Sequence, residues 1–122
     1  RLPIVAKSAE FVSYILELLS DLGAVRSRAM FGGYGLYLED QMFGILADDV
    51  VYFKVDDANR GTFEDAGLEP FRLESKNATM SYYTVPDAAM DDAKIMCEWA
   101  RFGVEAAQRA GKNKSKKKRV RK

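Results

Sequence analysis

Between Arg28 and Asp57 the chain carries successive short runs of strand-forming residues, with gaps between them too short for anything but tight turns. The first run ends in the cluster Gly32, Gly33, Tyr34, Gly35. The next, Tyr34 to Leu38, breaks at Glu39-Asp40-Gln41, and Met42 to Ala47 breaks at Asp48-Asp49 before Val50 to Val55. This spacing predicts an antiparallel meander. Simple alternation then assigns the faces: Leu36, Leu38, Phe43, Ile45, Ala47, Val51, Phe53 and Val55 on one side, and Tyr37, Met42, Leu46, Val50, Tyr52 and Lys54 on the other. The second set is too apolar for a face left in water, so it is expected to be covered by another copy, another protein or later segments of the chain.

Helical spacing flanks the meander. Phe11, Ile15, Leu18, Leu19 and Leu22 recur on one face of a helix over 8–22, with Ser8 placed to cap it and Gly23 to end it. A short helix is expected from Asp56 or Asp57 to Ala66, closed by Gly67, with Phe63 and Ala66 toward the sheet. Strands follow over 69–74 and 79–85, then one helical turn after Pro86. A final helix, capped by Asp91, carries Ile95, Trp99, Phe102 and Ala106 to about Ala110, with Gly111 ending it. The order helix, strands, helix, strands, helix predicts an α+β fold: a two-layer domain over 1–110 in which helices cover one face of an antiparallel sheet. The predicted core contains Phe11, Ile15, Leu19, Phe43, Ile45, Phe53, Trp99 and Phe102.

Composition excludes much chemistry. The chain has no histidine and one cysteine, Cys97, so it offers no Ser-His-Asp or Cys-His arrangement, no zinc site of the usual nitrogen and sulfur ligands, and no intrachain disulfide. No catalytic, metal or cofactor residue is assigned. Gly33-Tyr34-Gly35 lacks the third glycine of a dinucleotide loop and runs into a strand, which favours a bulge or a positive φ over phosphate binding. The pairs Asp48-Asp49, Asp56-Asp57 and Asp91-Asp92 each fall where a turn or cap is needed. Cys97 reads as a packed thiol, with no base beside it. No apolar run approaches a membrane span and no signal peptide is visible, which predicts a cytoplasmic protein with no membrane contact.

Charge divides the chain. Lys112, Lys114, Lys116, Lys117, Lys118, Arg119, Arg121 and Lys122 supply 8 of the 19 basic residues, leaving 11 against 18 acids, a net of −7 for the body. Residues 111–122 are therefore expected to form a disordered basic tail, either merely solvated or in non-specific contact with nucleic acid. On the body, Arg28 and Lys54 fall among Tyr37 and Tyr52 as cations among aromatics do in sheets that stack nucleobases, with Lys76 near in sequence only. The negative net charge weighs against that use and favours a protein partner or homodimer.

MFGGYGLY, VYFKVDD, MSYYTVP and EWAR, in this order across roughly Ser8 to Ala107, resemble the N-terminal domain of the TfoX/Sxy competence regulators. The resemblance implies a role in regulating competence genes and implies no active site. By it, the expected function is a non-enzymatic interaction module acting in transcription through a protein partner. The alternative is a nucleic-acid-binding accessory protein that uses the basic tail.

Overall fold

The computed structural model describes residues 10–30, 33–73 and 78–120. Six strands form one antiparallel sheet: β1 (Arg26–Met30), β2 (Gly33–Leu38), β3 (Gln41–Ala47), β4 (Val50–Lys54), β5 (Pro70–Leu73) and β6 (Ala78–Thr84), in the spatial order β1-β2-β3-β4-β6-β5. The first four are the predicted meander. Its tight turns are Glu39-Asp40 and Asp48-Asp49, and all four residues have positive φ, between 51° and 66°. Two left-handed central residues match the twist of the flanking strands, so these acids serve the turns.

The helices α1 (Phe11–Leu18), α2 (Arg60–Asp65) and α3 (Ala93–Val120) complete the α+β fold. Helix α1 buries Val12 and Ile15, then tightens into a 3₁₀ turn over Ser20–Leu22 that Gly23 ends with φ 145°. The expected cap, Ser8, lies outside the described residues. Helix α2 is shorter than predicted because the backbone first makes an Asx turn, in which the Asp56 carboxylate accepts from the N–H groups of Ala58 and Asn59. Phe63 is fully buried from α2, whereas Ala66, expected beside it, is exposed past the helix end. Asp92, not Asp91, caps α3: its Oδ1 accepts from Lys94 and Ile95 N–H, while Asp91 belongs to a preceding 3₁₀ turn.

The core lies between the helices and the inner sheet face, with Ile15, Leu19, Leu36, Phe43, Phe53, Phe63 and Met96 shielded from solvent. Phe43 stacks on Phe53 at 5.9 Å, and Phe63 meets Trp99 and Phe102 edge-on at 4.9 and 5.9 Å. Phe11, Trp99 and Phe102 pack against this core from half-buried positions. Cys97 is buried, its Sγ donates to the Leu18 carbonyl at 3.4 Å, and burial pushes the thiol pKa up.

Simple alternation fails in β3. Leu36 pairs with Gly44 and Tyr37 with Met42, so Phe43 is an extra residue in a β-bulge. A side chain at Gly44 would run into Phe53 and Leu36, so this position faces the core as Phe43 does. Beyond the bulge the faces are exchanged. Leu46 turns inward beside Val51 in the core, and Ile45, though buried, lies on the outer face opposite Gly35 and Tyr52. Leu46 therefore leaves the candidate partner face and Ile45 leaves the helix-side core.

Helix α3 crosses the sheet where Gly103 meets β3 and β4: a Cβ there would lie 2.7 Å from the Phe43 carbonyl oxygen. Asn59 Nδ2 donates to the carbonyls of Phe102 and Lys54, and Arg109 grips Asp56 with two hydrogen bonds of 2.6 and 2.9 Å. The guanidinium holds the Asp56 carboxyl below its usual range, and the pair fixes α3 to the loop after β4. Past this clamp α3 does not stop. Gly111 sits so close to the Gln41 amide that a Cβ would strike it, so this glycine permits a close approach instead of ending the helix. The lysines and arginines beyond it are good helix formers, and the backbone stays helical to Val120, where the sequence predicted a disordered tail. Among the described residues no helix is long and apolar enough to cross a membrane.

Candidate functional site

The outer sheet face is the side of the molecule that the helices leave open, and strand register sets its residues in rows. One exact row runs Arg28, Gly35, Ile45, Tyr52, Thr84 across β1, β2, β3, β4 and β6. Beside it, Arg26 pairs with Tyr37 and Tyr37 with Met42, while Lys54 pairs with Tyr82 on the far strands. Tyr37, Met42, Val50, Tyr52 and Lys54 are all half-buried. Five of the six predicted partner-face residues are thus brought together, without Leu46.

The face is partly self-covered. Gly35 has no positive φ; its missing side chain leaves a hollow into which Met42 Sδ, Tyr37 Cε1 and Met30 Cε fold, each within 3.2 Å of where a Cβ would stand. Phe71 closes on Tyr52 at 4.7 Å between ring centres. Tyr82 is only 5% exposed, and Lys54 Nζ sits 5.3 Å over its ring. Burial, and then the neighbouring Tyr37, push the Tyr82 hydroxyl pKa up to about 12. Burial, and then Asp48 and Glu69, raise that of Tyr52. Both phenols therefore stay protonated at neutral pH.

Two hollows flank this face. One, about 400 Å³, is lined by Arg26, Ser27, Arg28, Tyr37 and Asp40 along β1. The other, about 360 Å³, lies between Met42, Lys54 and Tyr82 on the sheet and Ala107, Ala110 and Gly111 on α3. Arg26 pairs with Asp40 at 2.8 Å with both side chains largely exposed. Arg28 is exposed and makes no hydrogen bond or ion pair among the described residues.

Sequence reasoning missed Ile45, Tyr82, Phe71 and Arg26 on this face. Extending the alternation of β4 onto its neighbour would have found Tyr82, and stepping back two residues from Arg28 would have found Arg26. Of the tail cations, Lys112 is exposed on α3. Lys114, Lys116, Lys117, Lys118 and Arg119 fall within its helical backbone, and Arg121 and Lys122, like Lys76 and Gly32, lie outside the described residues. Among the described residues no group of three or more His, Cys, Asp or Glu could hold a metal ion.

Residues 17–107 match the family model described as the TfoX N-terminal domain. Over 73 residues the chain is 37% identical to a DNA transformation protein, TfoX1, of Aliivibrio fischeri, a match covering 58% of this chain and 35% of the relative. The chain therefore spans about a third of the length of that relative.

Proposed function

Since the chain belongs to the TfoX N-terminal domain family, we propose that it is a non-catalytic interaction domain in the control of DNA transformation, working in the cytoplasm by holding a protein partner on the outer sheet face. The observation that carries this reading is the contrast between the two sides of the sheet. Among the described residues three helices pack on one side, while the other keeps Tyr37, Met42, Val50 and Tyr52 half-exposed, with α3 reaching only the rim beside Met42. A rim of polar and charged groups around an apolar centre is the usual anatomy of a docking surface.

Placing a charge in the middle of this face should abolish docking without unfolding the domain. Tyr52→Glu is expected to lower transformation frequency about thirtyfold in a host deleted for the native gene, the effect of losing one interface anchor, with Tyr52→Phe close to wild type. Circular dichroism melts of both variants serve as the folding control. Undiminished transformation by a folded Tyr52→Glu protein would remove this face from the function.

A second reading, nucleic-acid contact through 111–122, is favoured by the continuation of α3, which carries Lys112 and its successors on a helix rooted in the domain. If all 8 cations displaced counterions from duplex DNA, log K against log salt would slope by about −7. A chain ending at Ala110 should then lose duplex binding and keep its melting temperature, because the body carries a net −7. Salt-insensitive binding retained by the shortened chain would refute the tail as the source.

A further inference from the structure

We propose that the open edge of β1 takes up an extended, acidic segment of the protein partner as a seventh strand; this rests on the protein-partner reading above and names the chemistry of that partner. Among the described residues β1 pairs only with β2, in an unbroken five-residue register with no proline and no bulge. Its opposite edge therefore presents backbone N–H and C=O groups in the geometry of an unfilled ladder. A strand laid there would continue the rows already present, with alternate side chains falling beside Arg26 and Arg28 on the outer face.

The side chains select the charge. Arg26 and Arg28 stand two residues apart on one face of the edge, above the hollow floored by Tyr37. Arg28 makes no ion pair among the described residues although the body carries 18 acids against 11 cations. The partner of Arg26, Asp40, is itself largely exposed, so that weak pair can exchange for an incoming carboxylate. Carboxylates at every second position of an added strand match the two guanidinium groups, and each can be held bidentately.

The same geometry rejects two other occupants. A second copy added edge to edge would set arginines against arginines on one face, which is repulsive. A nucleic acid would need open ring faces for its bases, but Tyr82 is buried under Lys54, and Tyr37 is folded over Gly35 with Met42 and Met30.

The probe is an eight-residue peptide alternating glutamate with valine and threonine, titrated into the full chain by fluorescence anisotropy and by amide NMR. Its lysine analogue and an eight-nucleotide oligothymidylate serve as comparisons. The acidic peptide is expected to bind saturably, to shift the amides of 26–30, and to lose about tenfold in affinity in R26E/R28E, which should instead favour the lysine peptide. Absence of acidic-peptide binding, shifts confined to residues outside β1, indifference to R26E/R28E, or tighter oligothymidylate binding at β1 would each overturn the proposal. Failure here with Tyr52→Glu still defective in transformation sinks only the β1 assignment. A Tyr52→Glu protein that transforms normally sinks the outer-face reading on which it rests.

Discussion

Replacing Trp99 with alanine is expected to lower the stability of the domain by about 3 kcal/mol, read as a shift in the urea unfolding midpoint. The indole fills the angle between Phe63 of α2 and Phe102 of its own helix, at 4.9 and 5.6 Å between ring centres, and both contacts are edge-to-face. The ring keeps some exposure, which places the cost at the lower end of the range for deleting a large aromatic. Alanine would leave a void at the three-way junction of α2, α3 and β6, where Tyr83 also meets Phe63 at 6.0 Å. An unchanged midpoint would mean that α3 is not held through this cluster.

Gly103→Ala is expected to destabilise the domain by about 1 to 2 kcal/mol even though alanine is the better helix former by about 1 kcal/mol. The added Cβ would face the Phe43 carbonyl oxygen at 2.7 Å, the Lys54 nitrogen at 3.2 Å and Phe53 Cβ at 3.1 Å. Two of these three are backbone, so α3 itself has to lift, drawing the Phe102 carbonyl away from Asn59 Nδ2. Gly61→Ala supplies the contrast. Nothing lies within 4 Å of its Cβ position in α2, and the substitution should add about 0.5 to 1 kcal/mol. Thermal melts showing the same sign for both would contradict the close crossing of α3 over the sheet.

The elements whose periodicity is set by one buried face were legible in the sequence. Ile15 and Leu19, Phe63, and the Val51-Phe53 alternation led to the observed layers because burial and period agree there. Ile45 and Leu46 were not legible because a bulge depends on how two strands meet, and alternation read along one strand carries no information about its partner. Gly44 was the available clue: a residue without a side chain in the middle of an apolar run marks a bulge or a close approach. Gly111 misled for a related reason. The same residue type ends helices and permits close contacts, and only the nearness of Gln41 decides between them. The candidate face was legible in part, since Tyr37, Tyr52, Lys54 and, two residues before Arg28, Arg26 follow from local alternation, while Tyr82 reaches it only through the pairing of β4 with the distant β6.

The bulge at Phe43 also gives the chain a residue that it can lose without exchanging the two faces of the sheet. Removing Gly44 would leave Met42 outward, Phe43 inward, Ile45 outward and Leu46 inward, a regular ladder that keeps every neighbouring side chain on its present side. Removing Ile45, one codon later, would also straighten the ladder and keep Leu46 inward opposite Tyr34, but Gly44 would take the outward place and the buried Ile45 side chain would be lost. A single-residue deletion at 44 should therefore melt above one at 45 by the worth of that one side chain, and the reverse order would show that β3 is not phased as described. A lineage could lose the bulge in one step and keep the fold, so chains of different length through this strand can present the same two faces.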